Sequence, residues 1–129
     1  MVAHPLAPVS KYNFISRNQA MASLAAYAAQ QQLTTIMMGN FNLTSWSPYF
    51  RDFMRRSKLR SVNLGHGLNP TWSYSSSARP LSRLDRLKLP FKLPIDHIFT
   101  SQSISVDQVI TPPPGVSDHR PVIAKLRML

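Results

Sequence analysis

A mixed α/β fold with antiparallel pairing toward the carboxyl end is what this sequence predicts, and three observations predict it. Residues Arg17 to Gln32 carry an apolar stripe at helical spacing. Leu33 to Met38 form a short, β-branched, mostly apolar run that stops at a glycine, and three strand-like runs with brief links close the chain. Consecutive short strands joined this way usually pair as hairpins or meanders. At 129 residues the chain is long enough for one domain with its own core.

Taken in order, Met1-Val2-Ala3 reads as a strand entering AHPLAP, a start that leaves open a segment upstream. In the Ala- and Gln-rich helix, Met21, Leu24, Ala25 and Ala28 stand at i, i+3, i+4 and i+7, so this face should cover a sheet. The LTTIMM strand delivers GNFN, Gly39 to Asn42, to a strand's carboxyl end, where ligand-binding loops of layered α/β proteins gather. Ser47-Pro48 reads as an N-cap followed by proline in the first helical turn. Phe50, Phe53 and Met54 would then be the buried face of a helix from Pro48 to Ser57, with Arg51, Arg55, Arg56, Lys58 and Arg60 around its outer side and end. From about 63 to 94 the pattern dissolves into Gly, Ser, Pro and Arg, including the basic stretch Arg79 to Lys92, and a loop this long is usually functional or mobile. Ile95 to Thr100, Ser103 to Ile110 and Pro121 to Leu126 read as the closing strands, with Pro112-Pro113-Pro114-Gly115 between the last two. The chain has no internal repeat or heptad.

Lys and Arg number 15 against 5 acidic residues, for a formal charge of +10. Such a surface attracts nucleic acid or anionic lipid without sequence preference, although many basic proteins do so only in the test tube. All five acids are Asp; the chain has no Glu. Without cysteine, it has no disulfides, thiolate metal sites or cysteine nucleophiles, and its redox compartment stays open. No apolar run approaches the roughly 20 residues that cross a bilayer, so no transmembrane segment is expected.

Two Asp-His dipeptides stand in the last quarter, Asp96-His97 in LPIDHIF and Asp118-His119 in GVSDHRPVIAKL. Either alone is weak evidence. With GNFN and AHPLAP they form an ordered set that resembles the carboxyl-terminal half of the endonuclease/exonuclease/phosphatase family. The resemblance implies a deoxyribonuclease-like fold, a two-sheet β-sandwich flanked by helices, of which residues 1–129 would be a partial domain. It also implies hydrolysis of phosphate esters, a phosphodiester or nucleic acid among them, with Mg2+ or Mn2+ as cofactor.

Residue by residue, the resemblance gives His119 to the scissile phosphate as hydrogen-bond donor or general acid. Asp96 would accept the other ring N–H of His119 and fix its tautomer. Asp118 would stand near the metal, directly or through water, and Asn42 would hold a phosphoryl oxygen. His4 matches the leaving-group histidine of the branch that includes pancreatic deoxyribonuclease and sphingomyelinases; an ordinary His-Pro near a terminus is the competing reading. WSPYF and NPTW resemble a bacterial branch, with aromatics that either stack on substrate or fill the core. His97 should point to the opposite face from Asp96, since strand side chains alternate.

The family reads Gly-Asp-Phe/Leu-Asn where this chain has Asn40. An amide has no basic oxygen and no charge to attract a metal. Losing a general base commonly costs about 10²–10⁴-fold, and the family's principal metal ligand, a Glu of the amino-terminal half, has no counterpart here. Impaired or absent activity is therefore expected, through gene decay, a deliberate inactivating substitution or recruitment as a binding domain. Two alternatives stand beside the hydrolase: a non-catalytic polyanion-binding protein using Arg51, Arg55, Arg56, Arg60 and the 79–92 cluster, and a fragment without independent function. In the fragment case an exposed sheet face would favour self-association or a partner supplying the missing half.

Overall fold

A computed structural model of the chain describes residues 1–73 and 92–129. The elements run β1 (Val2–Ala3), α1 (Lys11–Ala29), β2 (Ile36–Asn40), α2 (Pro48–Ser57), β3 (Arg60–Ser61), β4 (Trp72–Ser73), β5 (Lys92–Leu93), β6 (Asp96–Thr100), β7 (Ile104–Ile110) and β8 (Ile123–Met128). A four-stranded sheet is ordered β1-β2-β6-β3, while β4-β5 and β7-β8 form two antiparallel pairs. The fold is mixed α/β with antiparallel closing strands, of the deoxyribonuclease-like class.

Helix α2 has the expected bounds, because Ser47 caps it by accepting from the Tyr49 N–H and Pro48 occupies the first turn. Helix α1 begins six residues before Arg17: the Ser10 hydroxyl accepts from the Asn13 N–H, a cap that the apolar stripe does not reveal. Strand β2 is shifted past Leu33 and runs through Asn40, since its partner β6 pairs with it along the whole of Ile36–Asn40. The short strands β3, β4 and β5 fall below any readable period, and β4-β5 lies within what reads as a featureless loop. The basic stretch Arg79 to Lys92 lies, apart from Lys92, outside the described residues.

The antiparallel register sets Met37 against Phe99, Gly39 against His97 and Asn40 against Asp96. Met37, His97 and Phe99 face the helices and are fully buried with Met21, Ala25 and Ala28 of α1 and Phe50 and Phe53 of α2. Aromatic rings knit this layer: Phe53 lies 4.8 Å and Phe41 5.0 Å from Phe99, the latter edge-on, which suits the ring quadrupoles. Asn40 and Asp96 share the opposite face with Val2 and Met38, which are exposed.

β1 joins in parallel by laying Ala3 against Gly39. A Cβ at Gly39 would stand 1.9 Å from the Ala3 carbonyl oxygen, and its φ of 149° is one that side chains disfavour. Gly39→Ala should therefore detach β1, and with it the His4 segment, lowering stability by about 3 kcal/mol in a urea titration; an unchanged midpoint would show that β1 pairing is dispensable.

Candidate active site

Because Asn40 and Asp96 end their strands side by side, any residue delivered to that edge meets both. His119 is delivered there by the segment between β7 and β8, where an isolated antiparallel bridge joins it to Trp72. Its Nδ1 lies 2.8 Å from Asp96 Oδ2, with the two side chains 30% and 21% exposed. An ionised carboxylate only accepts, so Nδ1 carries the proton, leaving Nε2 to give or take one elsewhere. Nearby, Asp118 Oδ2 accepts from the indole N–H of Trp72 at 3.1 Å.

The GNFN turn is built by amides. Asn40 Oδ1 accepts from the Asn42 backbone N–H at 2.9 Å, closing an Asx turn that holds Asn42 at a positive φ of 50°. The Asn42 side chain donates one N–H to the Pro5 carbonyl at 2.9 Å, which leaves its second N–H for another acceptor. The Asn42 carbonyl in turn receives Arg17 Nη1 at 2.6 Å.

Arg17 is a site neighbour that the sequence reading treated only as the start of a helix. Its guanidinium is buried, lies 5.1 Å from the Phe14 ring centre, and also donates to Asn18. Burial pulls its pKa below the ordinary arginine value, an effect partly offset by Tyr49.

His4, Asn40, Asn42 and His119 line one cleft of about 770 Å³, whose remaining wall is largely apolar, with Leu6, Val9, Leu43 and Trp72. The structure thus gathers His4, Asn40, Asn42, Asp96 and His119, with Asp118 tied to Trp72, from widely separated stretches of chain. The arginines of α2 stand apart from one another in role. Arg51 is exposed; Arg55 and Arg56 pair with Asp52 at 2.6 and 3.4 Å. Those bonds, Arg55 first, hold the Asp52 carboxyl below its ordinary pKa. Arg60, past the helix end, belongs to β3, where its Nη2 donates to the Ile104 carbonyl and leaves it half-buried.

His97 is a core residue. It is buried against Phe50 and Phe99, and its Nε2 lies 2.7 Å from the Leu43 carbonyl. A carbonyl only accepts, so Nε2 is the protonated nitrogen.

A divalent magnesium ion is usually held by one or two carboxylates with further oxygens. Asp96 is committed to His119, Asn40 is uncharged, and among the described residues no group of three His, Cys, Asp or Glu converges. These residues alone do not make a fit site for such an ion.

The endonuclease/exonuclease/phosphatase family model matches residues 3–119, and the chain belongs to that family. No curated protein matches it in sequence. A conserved protein of unknown function from Enterococcus faecalis is 19% identical with a TM-score of 0.69, over 99% of this chain and 49% of that one. A mannosyl-6-phosphatase from Bacteroides thetaiotaomicron is 20% identical with a TM-score of 0.60, over 93% and 48%. A 3′ phosphatase from Neisseria, solved with product DNA hairpin, is 18% identical with a TM-score of 0.65, over 98% and 60%. The chain spans about half the length of the first two. At this identity the likeness establishes the fold.

His97 generates a pH prediction. Burial pushes its pKa down from 6.5, more than the Leu43 carbonyl and Asp96 raise it. The unfolded chain then binds the extra proton first, so stability is full above about pH 6.5 and falls as pH drops below it toward the depressed folded value. Urea midpoints measured from pH 7.5 to 5 should carry this decline, and His97→Phe should remove that component; an identical pH slope in the variant would place the titration elsewhere.

Proposed function

We propose that this chain carries the histidine-bearing, carboxyl-terminal half of a phosphate-ester hydrolase site, and that it hydrolyses phosphodiesters negligibly as it stands. The observation that carries the reading is the 2.8 Å bond from His119 to Asp96 beside Asn40 and Asn42. Asp96 accepts from Nδ1, which leaves Nε2 to give or take a proton at a phosphoryl oxygen. Asn42 offers its second amide N–H to another such oxygen. His4 lines the same cleft, which supports a role in assisting the leaving oxygen.

What is missing is the base and the charge. Asn40 stands where a carboxylate would take a proton from the attacking water, and no Glu is present in the sequence. Mg2+ or Mn2+ would supply charge stabilisation to such a reaction, and the donors for it would come from a partner half that completes the site.

Three outcomes test this. Calorimetry with magnesium should show weak or no binding; a tight one-to-one site would reveal ligands outside the set above. Hydrolysis of a generic phosphodiester should be negligible with either metal, and Asn40→Asp should gain at most about tenfold, because the base alone leaves the charge unmet. Robust turnover by the unmodified chain, lost in His119→Ala, would show that neither defect is disabling.

A second reading, polyanion binding, is favoured by the charge of +10 and by the exposure of Arg51 and Arg55 on α2. Phosphate contacts made by such side chains release counterions and read no bases. Binding to mixed-sequence DNA should weaken at least about tenfold between roughly 50 and 200 mM salt; salt-insensitive binding to one sequence, or no binding at the lower salt, would remove this reading.

A further inference from the structure

The two members of the His119–Asp96 pair lie 23 residues apart, with β7 intervening, and a third segment runs between them. That segment is Thr71–Trp72, from the NPTW stretch. The Thr71 side chain is almost wholly buried, and its hydroxyl oxygen accepts the backbone N–H of Ile95 at 3.2 Å and of Asp96 at 3.1 Å. The same hydroxyl proton goes to the Leu93 carbonyl at 3.4 Å, and the Thr71 N–H to that carbonyl at 3.0 Å. On its other edge the segment grips the histidine strand: the Arg120 N–H donates to the Thr71 carbonyl at 2.6 Å and the Ser73 N–H to the Asp118 carbonyl at 3.4 Å. The Trp72 indole N–H adds a side-chain bond to Asp118.

We propose that Thr71 and Trp72 are positioning residues for the His119–Asp96 pair: Thr71 fixes the entry of β6, Trp72 and the bridge fix Asp118–His119, and together they set the imidazole at hydrogen-bonding distance from the carboxylate. This rests on the reading of His119 and Asp96 as the working pair of the site. Neither positioning residue touches the reacting atoms; each acts through another residue. The chemistry selects the residue types. A threonine hydroxyl can accept two backbone N–H groups while donating its own proton, which valine cannot. An indole donates one hydrogen bond from a flat ring and accepts none, so it can hold a carboxylate without competing for its neighbours' protons.

The test reads the imidazole and not turnover, so a catalytically silent chain does not obscure it. In the long-range proton–nitrogen spectrum of the labelled full chain, taken at about pH 8.5 where free imidazole is neutral, His119 should be the Nδ1–H tautomer. Thr71→Val should raise the Nε2–H tautomer by about tenfold through loss of registry with Asp96, and Thr71→Ser, which keeps the hydroxyl, should restore the original spectrum. Trp72→Phe keeps an aromatic side chain while removing the indole N–H and should shift the same signal, which covers the case in which Thr71→Val does not fold. An unchanged His119 ring in folded Thr71→Val and in Trp72→Phe would overturn the proposal, as would Thr71→Ser behaving like Thr71→Val. Absence of the Nδ1–H tautomer in the unmodified chain would instead overturn the pair itself, and the positioning role with it.

Discussion

The antiparallel register of β2 with β6 decides which side of the sheet each consecutive residue serves. With Gly39 against His97 and Asn40 against Asp96, His97 enters the aromatic core while Asp96 emerges beside the GNFN turn. A slip by one residue would exchange those roles, burying a carboxylate among Phe41, Phe50 and Phe53 and exposing Phe99 to water. The core therefore enforces the site. Phe99 and His97 packing against α2 hold the register, and the register in turn puts Asp96 within reach of His119. A second constraint acts at the same level: Gly39 lets β1 approach closely enough to bring His4 and Pro5 alongside, and the Pro5 carbonyl then orients the Asn42 amide.

The GNFN turn separates what folding asks of position 40 from what hydrolysis asks. Folding needs a side-chain oxygen two bonds from the backbone to accept the Asn42 N–H, and either an amide or a carboxylate provides it. Hydrolysis needs an oxygen that can hold a proton or attract a cation, which only the carboxylate provides. A substitution to Asn thus leaves the Asx turn, the positive φ at Asn42 and the Arg17 contact standing. The turn keeps its shape with either side chain.

Legibility in the sequence tracked how local each determinant was. Helix α2 could be read to the residue because Ser47, Pro48 and two phenylalanines sit within one short window. Asp96 and His119 could be paired only through the ordered motifs, since nothing local shows that residues so far apart meet. The Ser10 cap, the Thr71 hydroxyl and Arg17 escaped notice for the opposite reason. Each is an ordinary residue locally, and its role comes from partners such as Asp96 N–H or the Asn42 carbonyl that only the tertiary fold supplies. Arg60 lies past the end of α2, where the left-handed turn at Lys58 leads the chain into β3, a short strand with no readable period.

The distribution of charge follows from the same separation. With five acidic side chains in the whole sequence, carboxylate charge is scarce. Asp96 gives its capacity to an imidazole, Asp52 to two arginines and Asp107 to Arg127. Asp118 is engaged by a neutral donor, the Trp72 indole, which leaves its negative charge uncompensated by that contact. Among the described carboxylates at this edge, Asp118 is thus held in position without an ion pair. The aromatic core beneath holds Asp96 in this arrangement through the β2–β6 register.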